Sequence, residues 1–214
     1  MRQKKSYWQV LVVRVDLSQE IESGDDMLEI PWSDANNPAR KYLDLKAQPE
    51  LIELVEECRE QPALASILRT VNSSSSSFRT AKCDVWATTE LSEDERLDFG
   101  LPQKVGGYID LLFECPEFNA RLESQLELGR KLERLLASLR AQAQLEIFVR
   151  RCLFHPEERW GYYLTLFTHA YGADPEEAAR EWGRALNAMG EALARIDEIL
   201  HRVWADLPHR APSS

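Results

Sequence analysis

Two pairs of short segments alternate apolar and polar residues, and each pair is followed by a long amphipathic stretch. This pattern constrains the chain more than any other feature. The first pair is 82–91 (KCDVWATTEL) and 104–114 (KVGGYIDLLFE); the second is 144–153 (QLEIFVRRCL) and 160–169 (WGYYLTLFTH). Alternation with period two is the mark of a strand with two unlike faces. The stretches that follow, 116–141 and the run beginning at Pro175, repeat apolar residues every three or four positions. Each therefore buries one side only, so strands and helices together predict a sheet with helices on one face.

The helix starts are legible. Pro116 suits a first turn and Glu117 favours the positive end of the helix dipole. Leu128, Leu132, Leu135 and Leu139 form a seam, and Glu127 with Lys131 an i,i+4 pair. Asp174, Pro175 and Glu177 read as N-cap, first position and capping box. Trp182, Leu186, Met189, Leu193, Ile196, Leu200 and Val203 then alternate by four and three, a heptad seam. It either docks on the sheet within the chain or pairs between subunits, anchored by Trp182 and Trp204. Gly183 and Gly190 beside it predict close packing against a neighbour.

Before these units, residues 7–16 (YWQVLVVRVD) carry apolar side chains on both alternating faces, which predicts a central strand. Residues 17–47 form an acidic loop or insertion, with a short extended piece at 28–32. Helices are predicted from Pro49 and again from Pro62. The run NSSSSS (72–77) reads as a flexible connector, and the acidic SEDERLDFGLPQ as a long hairpin loop. Gly106 and Gly107 predict a bulge or a close backbone approach.

The order of elements is β-α-β-β-α-β, then β-α. The first six match a ferredoxin-like (βαββαβ) core with an antiparallel sheet of order 4-1-3-2 and its first strand inside. The remainder is a C-terminal β-α extension. One α+β domain over 1–214 follows, with a fraying tail at 207–214. A resemblance between the two strand pairs also allows a duplicated ββα unit.

A net charge of −10 on 214 residues disfavours non-specific attraction to phosphate backbones or anionic membranes. The start has no run long enough for a secretory signal, and no window reaches a membrane span. A cytoplasmic protein is expected, with no membrane partner. Cys58, Cys83, Cys115 and Cys152 contain no C-x-x-C pair, so reduced, mostly buried thiols are expected. Cys152 and His155, with Cys83 and Cys115 expected toward the same sheet edge, form a ligand set zinc would accept, but Cys83 and Cys115 fall on the core face and Cys152 on the other, so no metal or other cofactor is assigned.

Function is sought on the sheet face away from the helices. Cys83, Val85, Ala87, Ile109, Leu111, Phe113, Leu145, Ile147 and Val149 form the predicted core face. The opposite face mixes aromatic and charged residues. Trp8, Arg14, Trp86, Tyr108, Phe148 and Arg150 are the candidates for contact. Such a surface marks an interface or a ligand site. The leading reading is a non-catalytic interaction or assembly module, acting as a homodimer or with a protein partner. A second is a small-molecule or metal-dependent enzyme using Asp84, Asp110 and Glu146, whose alternative role is cross-strand pairing with Arg14 and Arg150. A third is single-stranded nucleic-acid binding through the aromatics, which the same carboxylates oppose.

Overall fold

A computed structural model describes residues 13–22, 24 and 27–205, with side chains to 202. The predicted contact Trp8 and the side chain of Trp204 lie outside them. The elements are β1 (Arg14–Glu20), β2 (Leu28–Ile30), a 3-10 turn (Pro49–Leu54), α1 (Glu57–Glu60), α2 (Pro62–Val71), β3 (Phe78–Thr88), α3 (Glu93–Asp98), β4 (Gln103–Phe113), α4 (Pro116–Asn119), α5 (Leu122–Leu136), β5 (Ala143–Phe154), β6 (Arg159–Gly172) and α6 (Pro175–Ala205).

The α+β class holds, but the strand order corrects the expected topology. Six strands form one sheet in the order β1-β5-β6-β4-β3, with β2 also pairing β5. It is a mixed sheet: β1 and β2 run parallel to β5, and the other pairs are antiparallel. Most of the expected first strand, 7–16, lies outside the described residues; β1, from Arg14 to Glu20, ends the described sheet at its edge, and β6 takes the interior place expected of the first strand. The cause is visible in β1 itself. Val15 and Leu17 pack on the core, while Arg14, Asp16, Ser18 and Glu20 share a polar face. By contrast β6 is buried or half-buried along most of both faces and joins β5 through a tight connection, leaving its other side to pair with β4.

The strands β3 and β4 with α5, and β5 and β6 with α6, lie side by side with β4 and β6 antiparallel at the centre. That is the arrangement a duplicated ββα unit would produce.

The core lies on the face expected for it, with odd-numbered residues of β4 and β5 and even-numbered residues of β6. Ile109, Leu111, Leu145, Ile147, Leu164 and Leu166 meet Leu128 and Leu132 of α5, Leu186, Met189 and Leu193 of α6, and Leu64, Ile67 and Leu68 of α2. Burying a side chain of this kind is worth about 1.5–3 kcal/mol. Cys83 and Val85 pack against this core, whereas Ala87 near the strand end is exposed. The heptad seam is used inside the chain: Trp182 is buried and donates its indole N–H to the Thr168 carbonyl (3.1 Å). Asp174 caps α6 as expected, accepting from the Glu177 amide at 2.7 Å. Gly183 and Gly190 face Ala63 and Ile67 of α2.

Two loops are better held than their composition implies. The Lys46 ammonium donates to the carbonyls of Ser73, Ser76 and Phe78, and Asp197 accepts from the Ser77 amide at 2.8 Å. The serine run is thus tied at both ends. The acidic hairpin loop contains α3, closed by a Ser92–Glu95 capping box and by Gly100 at φ 64. The predicted helix at 116–141 breaks between Asn119 and Leu122, and the one at Pro49 is a 3-10 turn.

Candidate functional site

Cross-strand register decides which side chains share the uncovered face, the one over which none of the longer described helices, α2, α5 and α6, packs. Paired residues point the same way, so Trp86 of β3 stands beside Gly106, Tyr108 beside Phe167, and Gly106 beside His169. Across β5 the face continues with Glu146 opposite Phe167, Phe148 opposite Thr165 and Arg150 opposite Tyr163. Arg14, Asp16 and Glu20 extend it onto β1. Of the residues expected here, Arg14, Asp84, Trp86, Tyr108, Asp110, Glu146, Phe148 and Arg150 all reach this side of the sheet.

The aromatic rings touch in sequence. Trp86 meets His169 edge-on at 6.1 Å between centroids, and His169 meets Phe167 at 6.1 Å. Phe167 contacts Tyr108 at 5.4 Å and Phe148 at 5.8 Å. The Arg150 guanidinium lies 5.2 Å from the Phe148 ring and 5.5 Å from Phe167. Phe167 and His169, hubs of this array, were not singled out in the sequence, although the alternation of 160–169 places them on this face.

Both ends of the face are roofed. At one, segment 28–45 covers a second small core of Ile30, Ala81, Leu112, Cys152 and Tyr163. The Trp32 indole donates to the Ala81 carbonyl at 2.7 Å. At the other, α3 lies on Tyr171 and Lys104. Phe99 stacks on Tyr171 at 3.8 Å, the Tyr171 hydroxyl donates to Glu95 at 2.7 Å, and Lys104 pairs with Glu95. Between these roofs Trp86 is 38% exposed.

A polar network lies under the aromatics. Asp110 is 4% exposed and accepts from the Thr165 hydroxyl at 2.7 Å. Arg150 reaches Thr165 at 3.5 Å and is held by Glu20 at 2.7 Å. Burial pushes the Asp110 carboxyl up to about 7, against the pull of Thr165, Arg150 and Lys82. Burial, with Lys104, lowers His169 to about 4, so its ring is neutral at pH 7. Burial also raises Glu146, which accepts from Gln144 at 2.7 Å and lies 4.0 Å from His169.

The three carboxylates do not converge. Asp84 accepts from the neighbouring Val85 amide (2.8 Å), Asp110 turns to Thr165, and Glu146 to Gln144. Among the described residues no group of three or more His, Cys, Asp or Glu is placed to hold a metal. The cysteines are free thiols. Cys152 is buried in the small core, where desolvation pushes it up to about 12, and Cys115 donates to Glu117 at 3.0 Å. Beside the face, β3 and segment 37–57 enclose a cleft of about 170 Å³. This is smaller than the roughly 300–1,000 Å³ of small-molecule sites.

Among the described residues no helix is long and apolar enough to cross a membrane. No protein-family model, curated protein or solved structure matches the chain.

Proposed function

We propose that this chain is a non-catalytic interaction module that self-associates through the uncovered sheet face. The observation that carries the reading is the contiguous ring array of Trp86, His169, Phe167, Tyr108 and Phe148, with Arg150 set among them. Tryptophan, tyrosine and arginine in a rigid, partly desolvated setting are the residues that dominate binding energy. The charges around the array are of both signs: Arg14, Lys82 and Arg150 against Asp16, Glu20, Asp84 and Glu146. A mixed face of this kind can meet its own two-fold image, as an isologous dimer requires. The same acidic groups oppose a nucleic-acid backbone. A cytoplasmic location is supported by four free cysteines.

Light scattering across a dilution series tests this. A dimer of twice 24.6 kDa that Trp86→Ala weakens, with the melting temperature nearly unchanged, supports the reading. A native chain that stays monomeric at every concentration overturns self-association. Unfolding of Trp86→Ala would place that residue in the core instead.

A further inference from the structure

The short helix α3 is anchored on one side only. Glu95 and Phe99, four residues apart, share the face that meets the sheet: Glu95 binds Lys104 and Tyr171, and Phe99 stacks on Tyr171. Leu97 points the other way and is 76% exposed, the most exposed large apolar side chain among the described residues. Helical spacing puts Glu93 and Asp94, four and three positions earlier, on the same outward side. The result is a rigid apolar knob with two flanking carboxylates.

A groove of complementary character lies on the opposite side of the sheet, between the end of α5 and the middle of α6. Its volume is about 560 Å³. Leu135, Leu139 and Ala188 contribute partly buried apolar surface, and Arg140, Arg184 and Arg195 stand around it. Arg184 is fixed by Glu181 at 2.9 Å and by the Arg140 carbonyl at 3.2 Å. Neither Arg140 nor Arg195 meets a carboxylate within ion-pair distance among the described residues. With Glu181 taken up by Arg184, Arg140 and Arg195 stand against the single Glu191 of the lining, which leaves this a basic, apolar groove on a chain of net charge −10.

We propose that α3 of one copy seats Leu97 in the α5–α6 groove of a second copy, with Glu93 and Asp94 meeting the groove's arginines. Charge complementarity selects this occupant: the carboxylates beside Leu97 face Arg140 and Arg195, which have no carboxylate partner among the described residues. Knob and groove are different surfaces on opposite sides of the sheet, so the contact is heterologous. Repeated, it builds a ring or an open chain of subunits. It goes beyond the sheet-face reading, because neither surface includes that face.

The test uses the full chain carrying Trp86→Ala, which removes the sheet-face contact and leaves knob and groove intact. Sedimentation up to about 1 mM should show mass rising with concentration, and the rise should fade at high salt. Leu97→Lys removes the knob; Arg140→Glu with Arg195→Glu removes the groove. Each variant alone should remain at 24.6 kDa with an unchanged melting temperature. An equimolar mixture of the two should form a one-to-one species and nothing larger, since one intact knob and one intact groove remain. A Trp86→Ala chain that is monomeric throughout, variants that still assemble, or a mixture that stays monomeric would each overturn the proposal. Assembly of the native chain that Trp86→Ala leaves unchanged would count against the sheet face and not against this contact. Assembly that only Trp86→Ala abolishes would count against this contact alone.

Discussion

The Trp182 ring occupies the space where a side chain on Gly107 would lie. A β-carbon at Gly107 would come within 2.8 Å of that ring and of the Asp84 carbonyl oxygen. Gly106, one residue earlier, faces the other way and lies under the Trp86 indole, at 2.6 Å from an equivalent β-carbon. Adjacent glycines thus admit one tryptophan to the core and one to the uncovered face.

Gly107→Ala should therefore destabilise the fold by about 1–3 kcal/mol, because neither the Asp84 backbone nor the buried Trp182 can yield. Gly106→Ala should cost less, since the partly exposed Trp86 ring can swing away. Chemical denaturation of the two variants, with tryptophan fluorescence as the probe, checks both. Equal costs would contradict the difference.

Asp110 and His169 should give opposite pH dependences. Asp110 is raised from 3.8 to about 7, so its contribution is full below pH 3.8 and is lost as pH rises towards 7. His169 is lowered from 6.5 to about 4, so its contribution is full above pH 6.5 and is lost as pH falls towards 4. Relative to the native chain, Asp110→Asn should gain stability as pH rises between 4 and 7. His169→Gln should gain it as pH falls through the same range. Difference curves from thermal melts are the measurement, and slopes of the same sign would refute the assignment.

Lys46→Met should release the serine loop. Three carbonyls lose a charged donor, and those of Ser76 and Phe78 are part-buried. The expected cost is about 1–2 kcal/mol, reduced by solvent access at the loop surface. Amide exchange at 73–78 should accelerate while exchange in β4 and β6 stays slow. Unchanged loop exchange would mean that Asp197 and His201 hold it without the lysine.

Glu95 anchors α3. Burial raises its carboxyl, but Lys104, the Ser92 amide and the Tyr171 hydroxyl outweigh this and hold it at about 2. Its contribution is full above pH 4.5 and is lost as pH falls through about 2. Glu95→Ala should cost about 1–2 kcal/mol at neutral pH and weaken the near-ultraviolet signal of the Phe99–Tyr171 stack. An intact aromatic signal would show that stacking alone keeps the helix in place.

The sequence by itself determined the local elements. Period-two alternation marked β3 to β6, the heptad seam and Asp174 marked α6, and both signals depend on neighbours within a few residues. The Ser92–Glu95 box was equally local, but an acidic composition obscured it. Alternation also assigned Trp86, Tyr108, Phe148 and Asp110 to one face correctly, because a side chain's face follows from its parity in the strand. Only the tertiary structure decided strand order, since one alternating strand can pair with any other. What separates the alternatives is non-local: β1 binding β5 in parallel, with Glu20 meeting Arg150 across 130 positions, and β6 filling the centre. The same long-range packing put Asp110 beneath the aromatics and turned Leu97 outward, which no spacing along the chain could state.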